Sequence, residues 1–416
     1  MSEMIAAPRL GNLPLLRSDG APCIGAGFQL AKNPSRALNW TSGDWEISIS
    51  RTSRQLVVRG RATNSSYEEA LALTIENLQR GLDVISATFG VDLLVTDLDG
   101  EHIVWWPDDC GLAIRRVSIG TMCFDASATL TVRTQDGKVV PPTPRVSPTW
   151  HESFRYYRLS QTTEDLFDAY RNAYLAFESI LNDIAPQKVQ PNGNPAEKEA
   201  KWLRRALTEA HRLYNLHQWI PLSMPDPISY VFDTLYKATR SAMFHAKGGG
   251  SVLLPQTPTD RAIVLENLRQ LVSLYQGVAE KRVGARWSGG SLSSQAARSA
   301  LTAIHQGMTL YASDDETMFS ESETSPNPGG GKLCRIDEES SVTFKQSDTA
   351  TQLWATSSED LAVLPFIRRV VGVRDGSAAV VDVLPERLYL QGSKRFETTL
   401  GTRIVSARSP RSTYSY

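Results

Sequence analysis

The sequence has few cysteines, no long apolar run and almost no net charge, and each lack excludes a class of protein. Its four cysteines are far apart in 416 residues, and no two form the C-x-x-C spacing of a zinc site or a dense disulfide framework. No stretch approaches the roughly 20 apolar residues of a membrane-spanning helix. A formal net charge of −1 gives no global attraction to nucleic acid or membrane, so nucleic-acid binding requires a local basic face.

Motifs for common cofactors and catalytic centres are also missing. The chain contains no G-x-x-x-x-G-K-[ST] loop, no G-x-S-x-G elbow and no H-E-x-x-H pair. His211 and His217 are six residues apart, which is not the spacing of two ligands on one helix face. The N-terminal stretch has an early acid and a proline but no apolar core, so we expect no signal peptide. These absences predict a cytoplasmic protein with no metal, no cofactor and no membrane association.

Hydrophobic periodicity and proline breaks predict a multidomain α+β protein. Residues 1–148 alternate as strands do around one helical segment, which indicates a mixed α/β domain. Residues 149–286 carry four helical segments with short connections, which indicates an all-α bundle. Residues 287–416 begin with a helix, continue through an acidic, glycine-rich loop at 313–332 that we expect to be flexible, and end in a β-rich domain.

The same patterns place the individual elements. The predicted helices are Tyr67–Ala87, Thr162–Asp183, Ala196–Gln218, a third bundle helix that starts near Asp226 and stops at Gly248, Thr259–Arg282 and Ser291–Gln306. The predicted strands are Trp45–Ser50, Gln55–Arg61, Val91–Val95, His102–Trp106, Ala113–Ser118, Ala126–Thr134, Val342–Phe344, Leu361–Val373, Ala378–Val383 and Arg387–Leu390. A hairpin turn at 97–100 is expected to join the third and fourth of these strands.

One place in the chain combines an arginine, a histidine and the end of a helix. Arg240 and His245 precede three glycines, and Lys247 adds a third cation. A guanidinium forks onto phosphate oxygens, and an imidazole exchanges a proton near neutral pH. Residues five apart on an ideal α-helix diverge by about 140°, so the two side chains converge only where the last turn unwinds.

Spacing alone is weak support for such a pair, because five of the six histidines have an arginine five to seven residues upstream. Arg212 and His217, at the end of the second bundle helix, are a rival pair. Structural roles are also open: His245 can cap helix carbonyls, and Arg240 can pair with a carboxylate such as Asp233 on its own helix. Residues 196–286 carry thirteen Lys and Arg against eight Asp and Glu, which suits a phosphate-contacting groove.

The helical segment resembles a known family. The residues that carry the likeness are Phe154–Arg158, Asp165–Asn172, Trp202–Leu207 and Arg240–Lys247. They look like bacterial proteins labelled as methylamine-utilisation accessory proteins, whose helical core is similar to the HEPN superfamily of helical nucleases. The likeness covers about a third of the chain and rests mainly on R-x4-H. Ser241 stands where that superfamily usually has Asn, Asp or His after the arginine.

The resemblance implies a metal-independent endoribonuclease that acts as a homodimer through the bundle, in phage defence or a toxin system, under control of the flanking domains. Arg240 and His245 would be catalytic, Ser241 and Lys247 would bind the RNA, and the ribose 2′-OH would be the nucleophile. The alternative hypothesis is a non-catalytic HEPN-like adaptor that dimerises and binds a protein partner or a nucleotide. An enzyme of amine oxidation has no cofactor motif to support it.

Overall fold

The computed structural model of the chain describes residues 7–21, 23–61, 65–98, 100–109, 111–124, 131, 133–140, 148–244, 252–255, 257–285, 294–318, 320, 323–336, 341–344, 350–357, 360–406 and 414. Within them the protein is a mixed α and β structure with two large sheets, which confirms the predicted α+β class. No helix of this part is both long and apolar enough to cross a membrane.

The chain divides into two compact units. The first comprises Met1–Cys123, Leu292–Val405 and Ser415–Tyr416, and the second comprises Phe124–Ser291 and Ser406–Tyr414. The two flanking domains predicted from the sequence therefore contribute to a single unit, because their strands share sheets. In particular, the first strand of the chain pairs antiparallel with a strand near the C-terminus, with Arg9 opposite Tyr389.

The first unit contains a six-stranded and a nine-stranded sheet. The six-stranded sheet has the order β10-β9-β13-β14-β1-β2, and the nine-stranded sheet has the order β11-β12-β15-β8-β7-β3-β6-β5-β4. The strands are β1 Arg9–Leu10, β2 Leu13–Pro14, β3 Cys23–Gln29, β4 Leu38–Ser42, β5 Trp45–Ile49, β6 Gln55–Arg61, β7 Glu101–Asp108, β8 Gly111–Phe124, β9 Thr309–Ser313, β10 Leu333–Ile336, β11 Ser341–Phe344, β12 Ala350–Ser357, β13 Ile367–Arg374, β14 Ser377–Tyr389 and β15 Ser393–Ser406.

Helix α1, Tyr67–Phe89, packs on the nine-stranded sheet and begins with a capping box. The Ser66 side chain accepts from the Glu69 backbone N–H, and the Glu69 carboxylate accepts from the Ser66 N–H. The helix ends at Gly90, which has the left-handed backbone (φ 64°) that favours glycine. The helix was predicted from its apolar spacing, with the same first residue and an end two residues short.

The predicted strand at 91–95 and its hairpin are wrong. Val95 makes only an isolated bridge to Leu30, and β7 forms its hairpin with β8 instead. The physical reason is that β3 already occupies the other edge of β7, with Gly25 opposite Trp105. Both faces of strand β3 are buried, so its residues do not alternate between apolar and polar and did not predict a strand.

The second unit is helical, and its elements differ in detail from the four predicted helices. It contains α2 Ser153–Thr162, α3 Leu166–Ile184, α4 Glu199–Tyr214, a 3₁₀ turn Leu216–Trp219, α5 Pro227–Ser229, a π-helix Tyr230–Ser241, α6 Ala242–Phe244 and α7 Pro258–Val283. The predicted helix at 162–183 is preceded by a separate helix, α2, because Asp165 caps α3 by accepting from the Asp168 N–H.

The third predicted helix is largely a π-helix, with hydrogen bonds between residues five apart rather than four. Buried polar groups contact its backbone. The Tyr170 hydroxyl donates to the Leu235 carbonyl at 2.7 Å, and the Thr239 hydroxyl donates to the Thr234 carbonyl at 2.9 Å. Asn267 on α7 donates to the Thr239 hydroxyl at 2.7 Å. A run of twelve residues is long for this geometry, which usually occurs as single-turn bulges.

The segment predicted as a flexible acidic loop has hydrogen-bonded structure in its described part. Asp315 is buried, and its carboxylate accepts from the backbone N–H groups of Thr317 at 2.8 Å and Gly329 at 2.7 Å. Its neighbour Asp314 accepts from the Lys332 N–H at 2.7 Å. The acids of this segment therefore bind its own backbone, which composition alone did not indicate.

Candidate functional site

Arg240 lies in the last turn of the π-helix, at the wall of a cavity. The cavity is open to solvent, has a volume of about 580 Å³ and is formed within the helical unit. Charged residues from three elements line it: Glu178 from α3, Arg240 from the π-helix, and Glu197, Lys198 and Glu199 at the start of α4. The site therefore combines a guanidinium with several carboxylates rather than cations alone.

The guanidinium of Arg240 is held by an ion pair and by aromatic rings. Its Nη1 lies 3.2 Å from Glu199 Oε1, and the Arg240 side chain remains 24% exposed. Its Cζ lies 5.4 Å from the ring centroid of Tyr174, 5.5 Å from that of Tyr236 and 5.6 Å from that of Phe244. These distances are within the range of cation–π contacts, so the rings orient the guanidinium without neutralising it.

Arg240 does not pair with Asp233, the carboxylate that the sequence suggested. Asp233 lies 3.3 Å from Lys237 Nζ and 3.7 Å from Arg204 Nη2. Residues seven apart share a face of an α-helix, but in a helix with bonds five residues apart they do not. The π-helix thus turns Arg240 away from Asp233, and Glu199 on α4 becomes its partner.

Two further polar groups beside Arg240 were not found in the sequence analysis. Glu178 is half-buried, and its pKa is raised, first by burial and then by the nearby charge of Glu199. The Tyr174 hydroxyl is buried without a hydrogen-bond partner among the described residues, and burial raises its pKa strongly. Tyr174 and Glu178 are four residues apart on α3, which puts their side chains on one face of the helix. This spacing can be read from the sequence and could have indicated the pair.

Of the R-x4-H element and the lysine after it, the structure describes residues 240–244. Ser241 is half-buried in the π-helix and is not among the residues that line the cavity. His245 and Lys247 lie outside the described residues, so their convergence with Arg240 stays a prediction. Of the two catalytic candidates, Arg240 is therefore the one that the described residues include.

The rival arginine–histidine pairs make other contacts. Arg212 is bound to the carboxylate of Glu209, with Nη2 to Oε1 at 2.6 Å. The His217 ring packs edge-on against the His211 ring, with the centroids 5.3 Å apart. His305 is buried in the first unit, with Nε2 3.2 Å from the Thr402 hydroxyl. Arg212, His217 and His305 therefore each have a structural partner that is not the other member of the pair.

Comparison with known proteins finds no matching family, no matching curated protein and no matching solved structure.

Proposed function

We propose that the helical unit is the catalytic part of a metal-independent endoribonuclease of HEPN type, which works as a homodimer and is regulated by the first unit. Arg240 and His245 are its catalytic pair, and Ser241 and Lys247 contact the RNA. A setting in phage defence or a toxin system follows from the same resemblance. The observation that carries the proposal is the position of Arg240: its side chain is 24% exposed at the wall of an open cavity, five residues before His245.

The ion pair between Arg240 and Glu199 is weak enough for a phosphate to replace it. Both side chains are partly exposed, at 24% and 39%. Pairs of this kind contribute about 0–1 kcal/mol, because water screens them and ordering the side chains costs entropy. A phosphodiester offers the guanidinium two oxygens in a forked geometry, and its negative charge grows in the phosphorane-like transition state, which a carboxylate cannot match. The aromatic rings around Arg240 stay in place during this exchange, and Phe244 is exposed for stacking on a base.

The chemistry requires two proton transfers and one centre of positive charge. The ribose 2′-OH loses a proton and attacks phosphorus, and the 5′ oxygen leaves and gains a proton. His245 performs one of these transfers, and Arg240 stabilises the charge that develops on the phosphate oxygens. DNA lacks the 2′-OH and is not a substrate for this route.

The test is cleavage of labelled RNA by the purified full chain in EDTA. We expect cleavage by the wild type, loss of cleavage in Arg240→Ala and in His245→Ala, and a 2′,3′-cyclic phosphate on the product. Arg212→Ala is the matched control, since it removes an arginine of the same unit that is bound to Glu209. Retained cleavage in His245→Ala, or cleavage of the matching DNA, contradicts the proposal.

A second candidate is a non-catalytic adaptor whose bundle dimerises and whose first unit binds a protein partner or a nucleotide. The observation in its favour is that Arg240 already has a carboxylate partner, in a cavity that two further glutamates line. If the protein is an adaptor, Arg240→Ala weakens the local structure without any effect on RNA cleavage. The wild-type protein then leaves RNA intact in EDTA. The same assay therefore separates the two functions.

A further inference from the structure

Glu178 lines the cavity of Arg240 and has no hydrogen-bond or ion-pair partner among the described residues. Its side chain is half-buried and lines the cavity together with Arg240 and Glu199. Glu199 is paired with Arg240, and Glu197 is bound to Arg205. By contrast, no hydrogen bond or ion pair joins the carboxyl group of Glu178 to the rest of the described chain. A half-buried carboxyl that makes no hydrogen bond or ion pair within the described chain is available for a ligand.

Burial, and after it the charge of Glu199, raises the pKa of Glu178. Glu199 and Arg240 act on it from α4 and the π-helix, and burial raises its pKa above the usual range of a glutamate. The hydroxyls of Tyr174 and Tyr236 also face this group, and Glu197 and Lys198 share the cavity wall. Arg240 opposes the shift, but burial and the Glu199 charge outweigh it. A raised pKa increases the fraction of the carboxyl that carries a proton at a given pH, and a proton to donate is what a general acid needs.

The buried hydroxyl of Tyr174 is a second, independent sign of a functional site beside Arg240. Tyr174 is 3% exposed, and its Oη has no hydrogen-bond partner in the described part of the protein. Its ring lies 5.4 Å from the Arg240 guanidinium carbon, and its hydroxyl interacts electrostatically with Glu178 and Glu199. Leaving a buried hydroxyl unpaired costs free energy, and a catalytic role is one of the reasons for which native proteins retain such a group.

We propose that Glu178 is the general acid of the site, which protonates the 5′ oxygen of the leaving nucleotide. This inference rests on the proposed function and completes it, because it leaves His245 to act as the base. Three observations carry this proposal. The Glu178 carboxyl has no hydrogen bond or ion pair within the described chain, it lines one cavity with Arg240, and the buried Tyr174 hydroxyl beside them is unpaired among the described residues. The substrate class it implies is RNA cleaved at the P–O5′ bond.

The reaction balances with these two residues. His245 takes the proton of the 2′-OH as the O2′–P bond forms. The P–O5′ bond breaks, and the O5′ atom takes the proton of Glu178. The products are a 2′,3′-cyclic phosphate and a 5′-hydroxyl. Water then returns a proton to Glu178 and removes one from the histidine, so neither an oxidant nor a metal enters the balance.

The test compares two RNA substrates that differ in the leaving atom. One carries the normal 5′ oxygen, and the other carries sulfur at that bridging position. A thiolate leaves without a proton, since a thiol is far more acidic than an alcohol. We expect Glu178→Gln to reduce kcat on the normal RNA by about 10²–10⁴-fold and to remove the alkaline limb of its pH profile. On the sulfur-containing RNA the variant is expected to match the wild type.

The outcomes of this test separate the role of Glu178 from the nuclease activity itself. Glu209→Gln is the control, because it neutralises a carboxylate on α4 that Arg212 binds, and it should cleave both RNAs normally. If Glu178→Gln is impaired equally on both substrates, or on neither, Glu178 is not the acid, whereas the nuclease proposal stands. If wild-type protein cleaves neither RNA, both proposals fall. Recovery on the sulfur substrate also shows that the variant is folded.

Discussion

At the scale of single residues, the Arg240–Glu199 ion pair is the feature most open to experiment. In the free protein Glu199 is the ion-pair partner of the guanidinium, with Nη1 and Oε1 3.2 Å apart. An RNA phosphate would have to displace the Glu199 carboxylate. This arrangement makes Glu199 a competitor of the substrate phosphate rather than a helper. The consequence is an unusual expectation, namely that removing a charged residue from the site improves binding.

We predict that Glu199→Gln binds a short RNA more tightly than the wild type. Freeing Arg240 recovers about 0–1 kcal/mol, which corresponds to at most about a five-fold lower Kd. Fluorescence anisotropy with a labelled, non-cleavable 2′-deoxy analogue measures it. Glu209→Gln removes the same charge from the same helix outside the cavity. An equal gain in both variants means that only net charge matters, and the competitor role is then rejected.

A second residue-scale prediction concerns pH. His305 is 1% exposed, and burial lowers its pKa below the ordinary 6.5. Between that lowered pKa and 6.5 the unfolded chain binds a proton that the folded chain does not, so stability falls as the pH drops through this window. We expect His305→Gln to lose less stability than the wild type between pH 8 and pH 5.5 in urea unfolding. His217→Gln, at an exposed position, should follow the wild type.

At the scale of elements, the π-helix determines where Arg240 points. Its geometry is matched by buried partners on neighbouring helices, above all the hydrogen bond from Asn267 Nδ2 to Thr239 Oγ1 at 2.7 Å. Thr239 is fully buried, and Asn267 is 8% exposed. A buried amide cannot turn to water if its partner is removed. The hydroxyl of Thr239 therefore supports both the backbone of the π-helix and the side chain of Asn267.

We predict that Thr239→Val lowers the free energy of unfolding by about 1–3 kcal/mol, because it leaves the Asn267 amide buried and unpaired. Adding Asn267→Leu should recover part of this loss by removing the second polar group. Thr208→Val on α4 is the control, since Thr208 is exposed and its hydroxyl donates to the Arg204 carbonyl of its own helix. Urea denaturation measures all four proteins. A Thr239→Val variant as stable as the wild type would mean that the Thr239–Asn267 bond contributes nothing, and equal single and double variants would mean that the unpaired Asn267 amide is not the cause of the loss.

The sequence predicted those elements whose signals are local. Apolar residues recur at helical spacing along α1 and α7, and both helices were predicted to within two residues at each end. The π-helix was predicted as an ordinary helix, because apolar spacing does not distinguish the two over twelve residues. At the site, the same limit applied: Arg240 was chosen from its sequence context, but Glu199 reaches it from another helix, which no spacing along the chain reveals.

At the scale of the whole molecule, the first unit is built from both ends of the chain. Strands β8 and β15 are neighbours in the nine-stranded sheet, although their sequences are far apart. Arg116 on β8 is buried and donates through Nε and Nη2 to both carboxylate oxygens of Asp382, each at 2.9 Å. Strand β8 and the buried charge of Arg116, both in the N-terminal segment, therefore have their partners in the C-terminal segment.

We predict that a fragment of residues 1–148 does not fold by itself. Without the C-terminal strands, β8 exposes an unpaired edge, and Arg116 loses Asp382, a kind of loss that typically destabilises by about 3–5 kcal/mol. Co-expression with residues 292–416 should restore a soluble complex, because that segment supplies β9 to β15. Dispersion of amide signals in the NMR spectrum distinguishes folded from unfolded fragments. A well-dispersed spectrum and a cooperative unfolding transition for 1–148 alone would show an independent N-terminal domain, as composition and proline breaks had suggested.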